Sequence, residues 1–508
     1  MTGGSVTGPS SAPGLPEGWE PGTGLTRMAV GGVAWQGLSY LLGRILVLAT
    51  TVVLARLLTP GDFGLVALAL VFIAYVEVAT DLGVAQALIF LPADRRRNDV
   101  ALAVSLLVSA LLVTAAMFAA PAVARFFDRP DLTTMFRVLS ISLLLGGAGQ
   151  VPDALLRKSL RFRRRLLADL SRAFIQGSVS IALASFGLGA WAIVWGYLAG
   201  GLAWLLAAWA LVDYRPSPHI WRVTYGQARP LLAYGVPVAG NALLLSLVFD
   251  LDYLIVGKRL GTEALGLYTL AFRIPEMVII NVFYVLSAVA FPLFSLAREA
   301  PGRLKRGYLS LVRLQTAYGA AAGVGLAMVA PMLVPVLFGP RWEASIAPLQ
   351  ALALYAAFRS LGIGAVDVYK AMGRPGLAAS LSFVRLAVLA PALLIAVGSG
   401  IEAVAWTQAV VALLLALLMQ AVACRVLGLR LASFGAALIP AAAVALGTAA
   451  GAGAVRLWMP GPEWARLAAA VVSGGLAGLV AVHAVDRRFL SDARLLLRRP
   501  GRTEPVPS

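Results

Sequence analysis

Seven arginines lie inside long apolar stretches of this chain: Arg44, Arg137, Arg172, Arg273, Arg313, Arg359 and Arg385. A cation at the centre of a bilayer costs about 3 kcal/mol on insertion scales, so each is expected to face a partner or a water-filled cavity. A guanidinium is a planar fork of donors that matches phosphate oxygens two at a time. Arginines turned inward within a membrane bundle therefore suit an anion. Helical spacing assigns their neighbours. Gln36 and Tyr40 share a face with Arg44, Tyr355 stands one turn from Arg359, and Arg273 shares a stripe with Glu276 and Tyr284. Arg137, Arg172 and Arg313 lie close to the ends of their stretches, where snorkelling to the interface is expected. Arg385 is left open.

The acids in the same stretches allow two readings. Glu77 and Asp81, one turn apart, together with Asp252 and Asp367, could carry a proton or a sodium ion. They could equally pair with the arginines, Arg273 with Glu276 at i, i+3 being the plainest case. Other chemistry is thinly represented. The single Cys424 excludes a disulfide within the chain and a cysteine zinc site. His219 and His483 lie far apart without a carboxylate cluster, so neither a metal nor a cofactor is expected, and the chain does not read as an enzyme.

The elements that must position these charges follow from composition. Of 508 residues, 60% are hydrophobic and 13% charged, against about 25% charged in soluble proteins. Apolar runs long enough to cross a bilayer recur with short breaks, about fourteen of them from 31–56 to 466–484. The fold class is thus all-α, a polytopic transmembrane helical bundle. Sorting Lys and Arg by alternate loops puts 27 of the 42 on the side of the N-terminus, eight on the other, and seven within spans. That asymmetry predicts cytoplasmic N- and C-termini. It also explains the net charge of +18 as a topology signal beside anionic lipid, so no nucleic-acid partner is expected. Residues 1–27 read as a disordered cytoplasmic tail, and 157–165 (RKSLRFRRR) as the start of an interfacial helix or a topology anchor.

Two loops resemble each other at an offset of 202 residues. LARLLTPGDFGLVALA at 54–69 matches VGKRLGTEALGLYTLA at 256–271, with Gly64 on Gly266 and Leu68 on Leu270. Both join an odd-numbered span to the next, six helices apart, which makes a parallel repeat. The expected layout is an N-terminal lobe at 28–230, a C-terminal lobe at 231–430, two extra helices at 431–485 and a basic cytoplasmic tail at 486–508. The two six-helix lobes would enclose a central cavity, and Gly235-Val236-Pro237, Pro275, and Pro331 with Pro335 are candidate hinges or ordinary packing kinks.

The segments 43–69 (GRILVLATTVVLARLLTPGDFGLVALA) and 252–271 (DYLIVGKRLGTEALGLYTLA) resemble bacterial lipopolysaccharide and exopolysaccharide biosynthesis flippases. That family belongs to the multidrug/oligosaccharidyl-lipid/polysaccharide exporter superfamily, and the resemblance covers roughly 28–430. It implies a bacterial cytoplasmic-membrane protein that turns an undecaprenyl-pyrophosphate-linked oligosaccharide from the inner to the outer leaflet by alternating access. Partners would then include this cargo, membrane lipids and the polymerase and glycosyltransferases of the pathway, with H+ or Na+ as a coupling ion. Under this reading Arg44, Arg273 and Arg359 meet the pyrophosphate, and Gln36, Tyr40 and Tyr355 bond or stack on sugars. A drug/ion antiporter of the same superfamily is the alternative, although its cationic cargo would favour an acidic cavity. A membrane glycosyltransferase or polymerase is a further alternative, disfavoured by short outer loops that pair no carboxylates or histidines.

Overall fold

Inside a bilayer no water is on hand for backbone amides and carbonyls, so a spanning segment must satisfy them within itself, as an α-helix does. The apolar runs accordingly form helices. No strand occurs among the described residues of the computed structural model, which are 42–487 apart from 82, 91–93, 160, 219, 221–222 and 299. The first half of the chain contains α1 (42–57), α2 (Pro60–Asp81), α3 (Val84–Phe90), α4 (Arg95–Phe126), α5 (Asp131–Lys158), α6 (Phe162–Ser185) and α7 (Ala190–Leu211). Then come α8 (Tyr225–Phe249), α9 (Leu251–Pro275), α10 (Asn281–Ala297), α11 (Pro301–Phe338), α12 (Ile346–Ala371), α13 (Pro375–Ala396), α14 (Ile401–Leu427), α15 (Leu431–Trp458) and α16 (Glu463–Val485). Among the described residues, twelve helical segments are long and apolar enough to cross a membrane. The chain is an all-α polytopic membrane bundle, with α1 and α8 standing at the first and seventh of the fourteen expected positions.

Three local features shape the bundle. Gly261, at φ 85° and ψ −178°, divides α9 into two helical pieces. A π-turn over Glu276–Ile280 follows Pro275 and joins α9 to α10 without a break in the helical backbone. The seventh span breaks at Asp250, between α8 and α9, and not at Gly235-Val236-Pro237, where the sequence placed a candidate hinge. Helix α8 runs unbroken through Pro237, and Gly235 serves as a contact, since a Cβ on Gly83 would overlap its backbone. As a result α8 packs on α2, α3 and α4, away from most of the C-terminal half. Pro331 and Pro335 likewise sit within an unbroken α11.

The basic stretch 157–165 is not a separate interfacial helix. It bridges the end of α5 and the start of α6, and its charges clamp the corner of the bundle. Arg157 and Arg165 bind Asp153 at 2.6 and 2.7 Å, Lys158 donates to the Leu88 carbonyl at 2.7 Å, and Arg161 and Arg164 both hold Asp213. Hydrogen bonds from those two guanidiniums keep the exposed Asp213 carboxyl below the usual carboxylate range. Arg313 does not merely snorkel either; it pairs with Asp486 and ties the end of α16 to α11.

At the opposite end, remote from 157–165, the two halves of the chain close on each other. Arg56 donates to the carbonyls of Leu337 (3.0 Å) and Val336 (2.6 Å), and Trp342 Nε1 donates to the Ala55 carbonyl (2.8 Å). Lys258 pairs with Asp128 at 2.8 Å, and Arg129 reaches the Thr262 hydroxyl at 3.1 Å. Between them the backbones of α2 and α9 touch. A Cβ on Gly64 would overlap the Thr262 carbonyl, and one on Gly266 would overlap that of Pro60. Pro60 and Thr262 are themselves 202 residues apart, so the contact is reciprocal under the offset of the repeat. Small residues permit this approach, as at other membrane helix crossings. A single buried apolar core, with Leu68, Ile73 and Leu139 from one half and Tyr268, Phe283 and Trp342 from the other, continues beneath it.

Candidate substrate cavity

Directly under the glycine contact lies a cavity of about 140 Å³ between the two halves. From α1 it is lined by Val47, Thr50, Thr51 and Leu54, and α2, α6, α7 and α9 complete the wall. Arg273, on α9, is the one charged side chain among the described residues that line it. The alternative pairing of Arg273 with Glu276 is not formed, since no ion pair joins them among the described residues. Arg44 is half-buried one turn before Val47, on the helix face that Val47, Thr51 and Leu54 present to the cavity. Gln36 and Tyr40 lie outside the described residues, as does the side chain of Asp81.

A second group of charges belongs to the C-terminal half. Arg359 on α12 donates to the Tyr355 hydroxyl at 3.2 Å and to the Tyr284 hydroxyl at 2.9 Å. Arg385 on α13 donates to the same Tyr355 oxygen at 3.2 Å, so one phenol receives two guanidiniums. Tyr355 is buried and packs against Phe272 at 5.8 Å between centroids. Asp250, at the helix break, lies within electrostatic reach of Arg359, Asp252 and Glu276. Asp252 is buried and accepts from the Tyr268 hydroxyl at 2.6 Å and from the Tyr253 amide at 3.1 Å, with Gln408 close by. Asp367 stands apart, two turns along α12 from Arg359; its Oδ1 accepts from Ser287 at 2.8 Å.

The structure therefore gathers Arg359, Tyr355 and Asp252 into one region and sets Arg273 in the inter-half cavity. Glu77 it places elsewhere, in a cavity within the N-terminal half. Arg172 is there as well, its guanidinium 5.4 Å from the centre of the Tyr197 ring, a correction to the snorkelling expected of it. Arg137 is exposed on α5 and donates to the Met117 carbonyl at 3.3 Å. The residue pattern left the role of Arg385 open and did not single out Tyr268, Gln408 or the cavity-lining Gln176. The signal was there for the two amides, each a strongly polar group within a membrane-length run.

This architecture defines a class: a multi-helix membrane bundle whose two halves meet in a closed seam. Comparison with solved structures agrees. A lipid II flippase MurJ in an inward closed conformation superposes with a TM-score of 0.69 at 13% identity, over 89% of this chain and 99% of that one. An inward-facing multidrug resistance MATE family transporter of the MOP superfamily gives 0.63 at 17%, over 76% and 94%. The chain belongs to the polysaccharide biosynthesis protein family, whose model matches residues 53–347. Among its relatives, lipopolysaccharide biosynthesis protein WzxC of Escherichia coli is 24% identical, covering 68% of this chain and 71% of its own. Teichuronic acid biosynthesis protein TuaB of Bacillus subtilis is also 24% identical, over 76% of this chain and 80% of its own.

Proposed function

We propose that the chain moves an undecaprenyl-pyrophosphate-linked oligosaccharide from the inner to the outer leaflet of a bacterial cytoplasmic membrane, by alternating exposure of the space between its halves. The end bearing 157–165 is then cytoplasmic, and the seam at Gly64 and Gly266 is the outer gate in its closed state. One observation carries the reading: Arg273 reaches the inter-half cavity as its only charged liner among the described residues, without an ion pair. A cationic side chain so placed favours an anionic cargo over the cationic one of a drug antiporter. Arg44, Arg359 and Arg385 extend the positive lining away from the seam, with Tyr355 orienting the last two. The isoprenoid tail has a matching surface. An almost wholly apolar groove of about 580 Å³ runs between α11, α15 and α16, past Leu326, Val329, Ala452 and Val471. Its apolar wall would keep the tail out of water while the head group crosses.

Proteoliposomes carrying a fluorescent undecaprenyl-pyrophosphate saccharide test this, with dithionite reading how much label reaches the outer leaflet. Wild-type protein should bleach clearly more than the half accessible in protein-free vesicles. Arg273→Ala should return it to that half, and Arg273→Lys should restore only part, because an ammonium loses the bidentate fork. Equal flipping by wild type and Arg273→Ala would sink the anion assignment. Proton-driven uptake of ethidium without lipid flipping would favour the antiporter.

A further inference from the structure

The N-terminal half holds a cavity of its own, of about 450 Å³, between α2, α5, α6 and α7. Three arginines line it, Arg157, Arg165 and Arg172, and so do three acids, Glu77, Asp153 and Asp169. These charges are equal in number, and four of the six form ion pairs with one another. Asp153 takes Arg157 at 2.6 Å and Arg165 at 2.7 Å, Arg165 also reaches Asp169 at 4.0 Å, and the Arg172 guanidinium sits 5.4 Å from the centre of the Tyr197 ring. A site with no net charge gives no electrostatic advantage to a phosphate or to a cation. It is nevertheless dense in donors and acceptors, all fixed on helices. Gln150 adds an amide held by Ser105 at 3.1 Å, and Trp204, seated against Gly149, adds an aromatic surface.

The ligand such a lining fits is neutral, rich in hydroxyls and flat on one side. Each hydroxyl can donate to a carboxylate and accept from a guanidinium, so adjacent hydroxyls satisfy a paired Asp and Arg together. The C–H face of a pyranose ring matches the apolar face of Trp204 or Tyr197. The volume falls within the roughly 300–1,000 Å³ of small-molecule sites. We propose that this cavity binds an uncharged sugar unit of the cargo, apart from the arginines that meet its pyrophosphate. This rests on the lipid-linked oligosaccharide reading and adds a division of labour to it: phosphates at the seam and the C-terminal half, sugar in the N-terminal half.

Saturation-transfer NMR on the full chain in lipid nanodiscs tests it. The probes are methyl glycosides of the sugars found by composition analysis of the host's own surface polymer, with inorganic pyrophosphate as the anionic control. At least one neutral glycoside should give ring-proton transfer at millimolar concentration, undiminished by excess pyrophosphate. Trp204→Ala and Glu77→Gln should each cut the signal at least threefold. Trp204→Phe should keep most of it, and Arg273→Ala should leave it unchanged while abolishing flipping. Size-exclusion profiles identify any variant that fails to fold, and either of the two weakening variants suffices. Absence of glycoside transfer in a wild-type sample that flips the lipid would overturn the proposal, leaving the cavity a hydrated ion-pair network. So would signals of wild-type size in both folded variants. Failure of wild-type protein to flip at all would instead remove the wider reading.

Discussion

Tyr355 sets the arginines of the C-terminal half. Its hydroxyl accepts from Arg359 and Arg385, which come from different helices, and its ring is buried against Phe272. A hydrogen bond to a charged group contributes roughly 1.5–3 kcal/mol, so deleting one acceptor loosens two guanidiniums at once. Tyr355→Phe keeps the ring and its packing and removes only the acceptor. The expected outcome is a fall of about tenfold or more in flipping rate by the dithionite assay, at wild-type protein yield; an unchanged rate would show that the phenol is mere packing. Sequence made part of this visible. Arg359 and Tyr355 sit at i, i+4, so their contact follows from helix geometry. Arg385 arrives from α13, and no spacing within one helix could reveal it. Arg172 and Arg313 were misjudged for a related reason. Depth along a span predicts whether a charge can reach the interface, but not whether Tyr197 or Asp486 offers a nearer partner.

At the scale of the element, the seam depends on two residues without side chains. Gly64 and Gly266 bring the starts of α2 and of the second part of α9 into backbone contact, with Thr262 and Pro60 as reciprocal neighbours. Gly64→Ala would place a methyl on the Thr262 carbonyl, backbone that cannot rotate away, so the halves must part there. The closed state is then destabilised while the isolated helix gains slightly from alanine. With Thr269→Cys in a Cys424→Ser background as reporter in the cavity wall, Gly64→Ala should raise labelling by an impermeant maleimide, added from outside, several-fold. Equal labelling rates would mean the seam yields without opening. The 202-residue offset matched the two glycines in sequence. That they touch could not be read there, because a repeat gives equivalence, whereas contact also needs the position of the axis. The seventh span misled for a similar reason. Gly235 and Pro237 look like a hinge, yet Gly235 is occupied by close packing on Gly83, and the break falls at Asp250.

For the whole molecule, the polar contacts that hold the seam are of a kind that can be exchanged. Lys258 with Asp128 and Arg129 with Thr262 lie toward the surface, where such pairs contribute about 0–1 kcal/mol each. Most of the closure must come from the core of Leu68, Tyr268 and Trp342, and a ligand that draws Arg273 and its neighbours inward could shift it. This scheme requires the seam to face outward, and hence the basic end to face the cytoplasm. The count of 27 basic residues against eight points that way, but it depends on every crossing being real. The seventh is the critical one, since its span is broken at Asp250 between α8 and α9. If α8 and the first part of α9 cross together, Arg229 and the Gly261 turn lie on opposite sides. Reporter fusions after Arg229 and after Arg499 should therefore show cytoplasmic enzyme activity, and one placed at Gly261 should show the outer compartment. The same compartment at Arg229 and Gly261 would leave α8 on the membrane surface. That would invert every crossing after it and place the Gly64 and Gly266 sides of the seam in different compartments, which their backbone contact forbids.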